Sequence, residues 1–129
     1  MANSTFVFEP EAGVAYPVNM ILNTSTDFEF TYQILNSNRT PFNFLGWRGS
    51  AQMAKSVAIG ATLGAVATFD VSFSDPQNGE LTIRLDRNQT SSLKEGRYVY
   101  DILVDSGATN LHRIVTGDIL VYAGISSVP

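Results

Sequence analysis

One histidine, His112, and twelve carboxylates are the groups through which this sequence could act as an acid, a base or a metal ligand. No cysteine accompanies them. Disulfides, zinc–thiolate sites and a cysteine nucleophile are thereby excluded. His112 stands beside Arg113, with no second histidine for a metal site and no serine in a nucleophile-elbow setting. It reads as a surface or interface histidine. Asp101 and Asp105 flank one apolar run, Asp70 and Asp86 lie on two others, and Asp75 and Asp118 sit near turns. A catalytic pair needs two carboxyls on one concave surface, which spacing alone does not supply. Calcium could be gathered by loop carboxylates, but no EF-hand spacing occurs, and neither does a phosphate loop, a dinucleotide glycine pattern or a kinase set. The expectation is a non-enzymatic protein without cofactor, metal or small-molecule substrate.

The elements that would hold these residues belong to a single domain, since the chain has 129 residues. A chain of this size buries roughly two-thirds of its unfolded surface and needs no staples. Charged residues make up only 16% of it, against 44% hydrophobic, so part of the surface is expected to be covered by another subunit. A net charge of −4 and scattered basic residues argue against nucleic acid or an anionic membrane as partner. The N-terminus lacks a basic n-region and an apolar h-region, so the expected site of synthesis and residence is a cytosol, without export. The apolar run 57–67 is too short to cross a bilayer, and the helix-dimer spacing of its Gly60 and Gly64 has no apolar 20-mer around it. The Asn-x-Ser/Thr triplets at Asn3, Asn23, Asn38 and Asn88 are read as chance.

Period-two alternation runs through most of the chain. Phe28, Phe30, Tyr32 and Ile34 alternate with Glu29, Thr31 and Gln33, and Val18 to Leu22 forms a shorter apolar run before them. Trp47, Gly49, Ala51 and Met53 form one small-residue face. Ala65 to Phe73 and Leu81 to Leu85 alternate on either side of Asn78-Gly79, a hairpin signal. A last strand is expected from Leu111 to Tyr122, with Gly117 as a bulge where the apolar face changes register. About seven strands with turn signals every 8–12 residues or so predict an all-β, immunoglobulin-like antiparallel sandwich.

Such a sandwich places a Trp on its third strand and a tyrosine corner at the start of its sixth. Trp47 fits the first. Leu93-Lys94-Glu95-Gly96-Arg97-Tyr98 fits the second, with the Tyr98 hydroxyl bonding back to the backbone. Tyr100 then fills the place of the second cystine half, with Phe30 at the place of the first. Phe30, Trp47, Tyr98 and Tyr100 are thus the expected structural core. On the other face of the Tyr98 strand, Val99 and Leu103 are two aliphatics that would meet water, and they are candidate interface residues. Residues 1–13 are expected to form an extended arm outside the 14–129 sandwich, with Phe6 and Phe8 docking on a neighbour.

The order of several segments resembles a domain of tailed-bacteriophage virions, the N-terminal immunoglobulin-like domain of siphophage baseplate upper proteins. The segments are Leu45-Gly46-Trp47, Gln52-Met53-Ala54-Lys55-Ser56, Asn78-Gly79-Glu80-Leu81-Thr82-Ile83, Gly96-Arg97-Tyr98-Val99-Tyr100-Asp101 and His112-Arg113-Ile114-Val115-Thr116-Gly117-Asp118-Ile119. Together they span nearly the whole chain. The resemblance implies a virion structural protein, made in the host cytoplasm, whose partners are its own copies and other virion proteins of a tail, baseplate or neck. Family members continue into a receptor-binding or fibre part, whereas this chain ends soon after Tyr122, so a stand-alone part is expected. A capsid decoration protein is the second reading. The third is a carbohydrate-binding adhesion module, for which Tyr16, Phe42, Phe44 and Tyr122 are the aromatics that escape the inward alternation.

Overall fold

The computed structural model describes residues 2–8, 15–55, 64–107 and 111–124. Gly60, Met1 and the 9–13 part of the expected arm lie outside them. The described residues form strands β1 (Ala2–Val7), β2 (Tyr16–Pro17), β3 (Met20–Asn23), β4 (Phe28–Leu35), β5 (Arg48–Lys55), β6 (Ala65–Asp75), β7 (Glu80–Leu85), β8 (Gly96–Asp105) and β9 (Leu111–Tyr122), with one short helix, α1 (Arg87–Ser91). The chain is nearly all β, as the alternation predicts.

The strands are joined in one sheet of order β1-β4-β7-β6-β5-β8-β9-β2, with β3 also on β9. The sheet folds over at β6. Phe69 pairs with Ala51 of β5, while the next residue, Asp70, pairs with Arg84 of β7. One layer is therefore β1, β4, β7 and the second half of β6, and the other is the first half of β6 with β5, β8, β9, β2 and β3. The two ends of the sheet meet through side chains, Phe6 of β1 stacking on Tyr16 of β2 at 4.7 Å. The result is a near-barrel whose two layers are continuous through β6. Its core is drawn from both layers and includes Leu22, Tyr32, Ile34, Met53, Ile83, Ile102 and Ile119.

Residues 2–8 depart from expectation. They are not a free arm: β1 runs parallel to β4 in register from Ala2↔Phe30 to Val7↔Leu35, and the Phe8 amide donates to the Leu35 carbonyl at 2.9 Å. Phe6 and Phe8 are both buried in the core and are not interface residues of this fold. The reason is energetic. Burying each ring is worth about 1.5–3 kcal/mol, and the edge of β4 offers a ladder for the backbone that carries them.

Two other elements are placed differently. Trp47 does not sit on the third strand or at the centre. It precedes β5, half-buried at one end of the barrel, against Phe42, Phe44 and His112. The inward positions of β5 belong to Ala51 and Met53. The β9 bulge falls not at Gly117 but at Ile114, because Ile102 pairs with Val115 and the next residue, Leu103, pairs with Arg113. Ile114 and Val115 are consequently both buried. The Asn78-Gly79 signal does mark the β6–β7 connection, through a 3-10 turn at Pro76–Asn78 and a left-handed Gly79 at φ 74°. A Cβ on Gly79 would also run into the Ile34 carbonyl oxygen.

Candidate assembly surface

The residues that aim the outer faces are those that lock the strands beneath. At the start of β8 the Tyr98 hydroxyl donates to the Lys94 carbonyl at 2.6 Å, the geometry of a tyrosine corner. α1 precedes that corner and is closed by a capping box, in which Asp86 accepts from the Gln89 amide and Gln89 accepts from the Asp86 amide. Two residues on, the Tyr100 hydroxyl donates to the Val18 carbonyl at 2.7 Å. Its single proton is thereby used, so the 2.9 Å contact with the Tyr32 hydroxyl has Tyr32 as donor. The chain Tyr32–Tyr100–Val18 ties β4, β8 and the β2–β3 segment together. Tyr32, not the expected Phe30, is the ring that reaches Tyr100; Phe30 packs beside Tyr32 at 4.8 Å and is itself buried.

Burial pushes both phenols well above the usual tyrosine range. The neighbouring Tyr100 raises Tyr32 further, while the bond received from Tyr32 draws Tyr100 part of the way back. The Val18 carbonyl reaches inward because the β2–β3 strand is interrupted at Val18 and Asn19. Asn19 Oδ1 fills the break by accepting from the Asp118 amide at 3.0 Å. Gly117 makes room for it, since a Cβ there would collide with the Val18 oxygen.

The outer faces of the two layers differ in kind. On the β4–β7–β6 layer, Thr82 is buried beneath hydroxyl contacts of 3.0 Å to both Thr31 and Ser74. Arg84 donates to Glu29 at 3.0 Å on the same face. This face satisfies its own polar groups and presents them to water.

On the β5–β8–β9 layer, exposed ion pairs alternate with aliphatics. Arg113–Asp101 at 2.9 Å and Arg48–Asp105 at 3.4 Å are solvent-screened, and such pairs are worth about 0–1 kcal/mol. Between and beyond them lie Val99, Leu103 and Leu120, half-buried, with Ile21 at 60% and Leu111 at 63% exposure. Three open depressions cross this face. One of about 390 Å³ is lined by Asn19, Met20, Ile21, Arg97, Asp118 and Leu120. The second takes in Val99 and Ala54, and the third Leu103 and Leu111. A ribbon of apolar ground with charges at its margins suits contact with protein better than contact with water.

No protein-family model matches the sequence, and no curated protein sequence matches it either. Solved structures do. The N-terminal domain of phage TP901-1 ORF48 superposes with a TM-score of 0.52 and 17% identity, over 94% of this chain and 98% of that one. The likeness is one of fold. Weaker overlaps, at TM-scores of 0.44 and 0.39, occur with a chain from the structural study of T cell activation by the superantigen toxic shock syndrome toxin-1 and with a family 123 glycoside hydrolase from Clostridium perfringens. They cover 81% and 88% of this chain, at 14% and 11% identity, and 92% and 24% of the other chains. The resemblance to a phage domain, read from the segments around Trp47, Gly79, Tyr98 and Gly117, is thus present in the fold.

The phage-like fold separates the candidate residues. Val99 and Leu103 lie on the apolar ribbon, whereas Phe6 and Phe8 are inside. Arg97 shares the Val99 face of β8, and the antiparallel β8–β9 register adds Leu120 and Asp118. Ile21 joins the ribbon without a sequence signal, because the parallel pairing of β3 with β9 has no turn to announce it. His112 is held between the rings of Phe8 and Trp47, at 5.7 and 6.2 Å. Of the aromatics considered for a sugar site, Phe44 is fully buried and Phe42 is packed against it. Tyr16, stacked on Phe6, and Tyr122, at the end of β9, are both exposed rings.

Proposed function

We propose that this protein is a non-enzymatic structural component of a tailed-bacteriophage virion, which assembles with its own copies and packs against a tail, baseplate or neck protein. The observation that carries this reading is the fold shared with the N-terminal domain of phage TP901-1 ORF48 over nearly the full length of both chains. The mechanism is shape. A rigid near-barrel presents the apolar ribbon of the β5–β8–β9 layer to neighbours, while its hydroxyl-rich face stays wet. The immunoglobulin-like assignment belongs to the same proposal, supported by the Tyr98 corner and by the placement of β4 with β7 and of β5 with β8 and β9. Mass spectrometry of separated tails and heads tests the reading. The chain is expected in the tail fraction; recovery with heads alone would make it a decoration protein, and absence from both would refute a virion role.

A further inference from the structure

The ribbon carries a pattern that fits one occupant, a second copy of the same face. The β8–β9 register sets Arg97 opposite Leu120 and Asp118 opposite Val99. These four outward residues form a square whose one diagonal is charged, Arg97 to Asp118, and whose other is aliphatic, Leu120 to Val99. Ile21 extends the aliphatic corner, being the register partner of Leu120 on the far side. Neither Arg97 nor Asp118 forms an ion pair with another described residue, whereas Arg48, Arg84, Arg87 and Arg113 all do.

We infer that this face forms a two-fold symmetric dimer. The inference rests on the self-assembly in the reading above and names the surface for it. A two-fold axis lying in the interface along the Leu120–Val99 diagonal brings these aliphatics onto their own counterparts. The same operation sets Arg97 of each copy against Asp118 of the other. An isologous interface needs this self-complementarity, and the two exchanged ion pairs fix its register while the aliphatics supply burial.

Sedimentation of the purified full chain over a range of concentrations tests the inference. The wild-type chain is expected to dimerise. Arg97→Glu and Asp118→Arg should each weaken the dimer about tenfold or more. An equimolar mixture of the two variants restores both contacts. In one, the introduced carboxylate meets the introduced guanidinium; in the other, the native Arg97 of one variant meets the native Asp118 of the other. The mixture should therefore dimerise about as well as wild type. Both positions are on the outer face, and an unchanged thermal midpoint confirms that the variants fold. A monomeric wild type, a dimer indifferent to either reversal, or a mixture that fails to recover would each overturn the inference. The virion reading fails separately, by absence of the chain from particles.

Discussion

Tyr100 does at residue scale what a cystine half would do in a disulfide-bearing sandwich, with one difference of mechanism. Its hydroxyl joins two layers through hydrogen bonds, donating to Val18 and accepting from Tyr32. The donor order makes the two tyrosines unequal. Tyr100→Phe strands the buried Val18 carbonyl and the Tyr32 hydroxyl together and should cost about 2–3 kcal/mol, whereas Tyr32→Phe leaves the Val18 bond intact and should cost about 1 kcal/mol. Urea denaturation of the two variants checks the ranking. The alkaline limb of stability follows from the same pair. The folded state holds both protons above the ordinary phenol pKa, about 10 in an unfolded chain. Their contribution is therefore fully present below that value and is lost as pH rises beyond it, because the unfolded chain then releases protons that the folded chain keeps. The denaturation midpoint should fall above about pH 10, and less steeply in the double variant Tyr32→Phe, Tyr100→Phe.

The Tyr98 corner is legible in the sequence because it is local: Leu-Lys-Glu-Gly and the tyrosine lie within a few residues of one another. The partner of Tyr100 is not. Alternation puts Phe30 and Tyr32 on one face and leaves open which ring crosses to the opposite layer.

At the scale of elements, strands joined across turns can be placed beside their partners from the sequence, whereas the partners of strands that pair in parallel cannot. β4, β6, β7, β8 and β9 announce themselves by alternation, and the β6–β7 connection by Asn78-Gly79. β1, β2 and β3 pair in parallel with strands reached only through long connections, with no turn to mark them. For this reason Phe6 and Phe8 read as an arm without a place in the core. Their burial makes β1 part of the folding unit. Phe6→Ala removes a ring stacked on Tyr16 and edge-on to Tyr32, and should lower stability by about 3 kcal/mol. Thermal unfolding measures this directly; an unchanged midpoint would return Phe6 to the surface.

For the molecule as a whole, the contrast between faces is only half visible in the sequence. Val99 and Leu103 stand out because they break the polar alternation of one strand. The ribbon they belong to needs β9 beside β8, which adds Leu120, and β3 laid beside β9, which adds Ile21. Low charge overall is a fair sign that some surface is covered, without saying which. A phage particle that carries this near-barrel should bury that ribbon against protein. Electron cryomicroscopy of intact particles tests it most directly. Density for this fold is expected in the tail, baseplate or neck, with Ile21, Val99, Leu103 and Leu120 covered by a neighbouring chain. Particles in which the fold is absent, or in which that face is open to solvent while the hydroxyl-rich face makes the contacts, would contradict it.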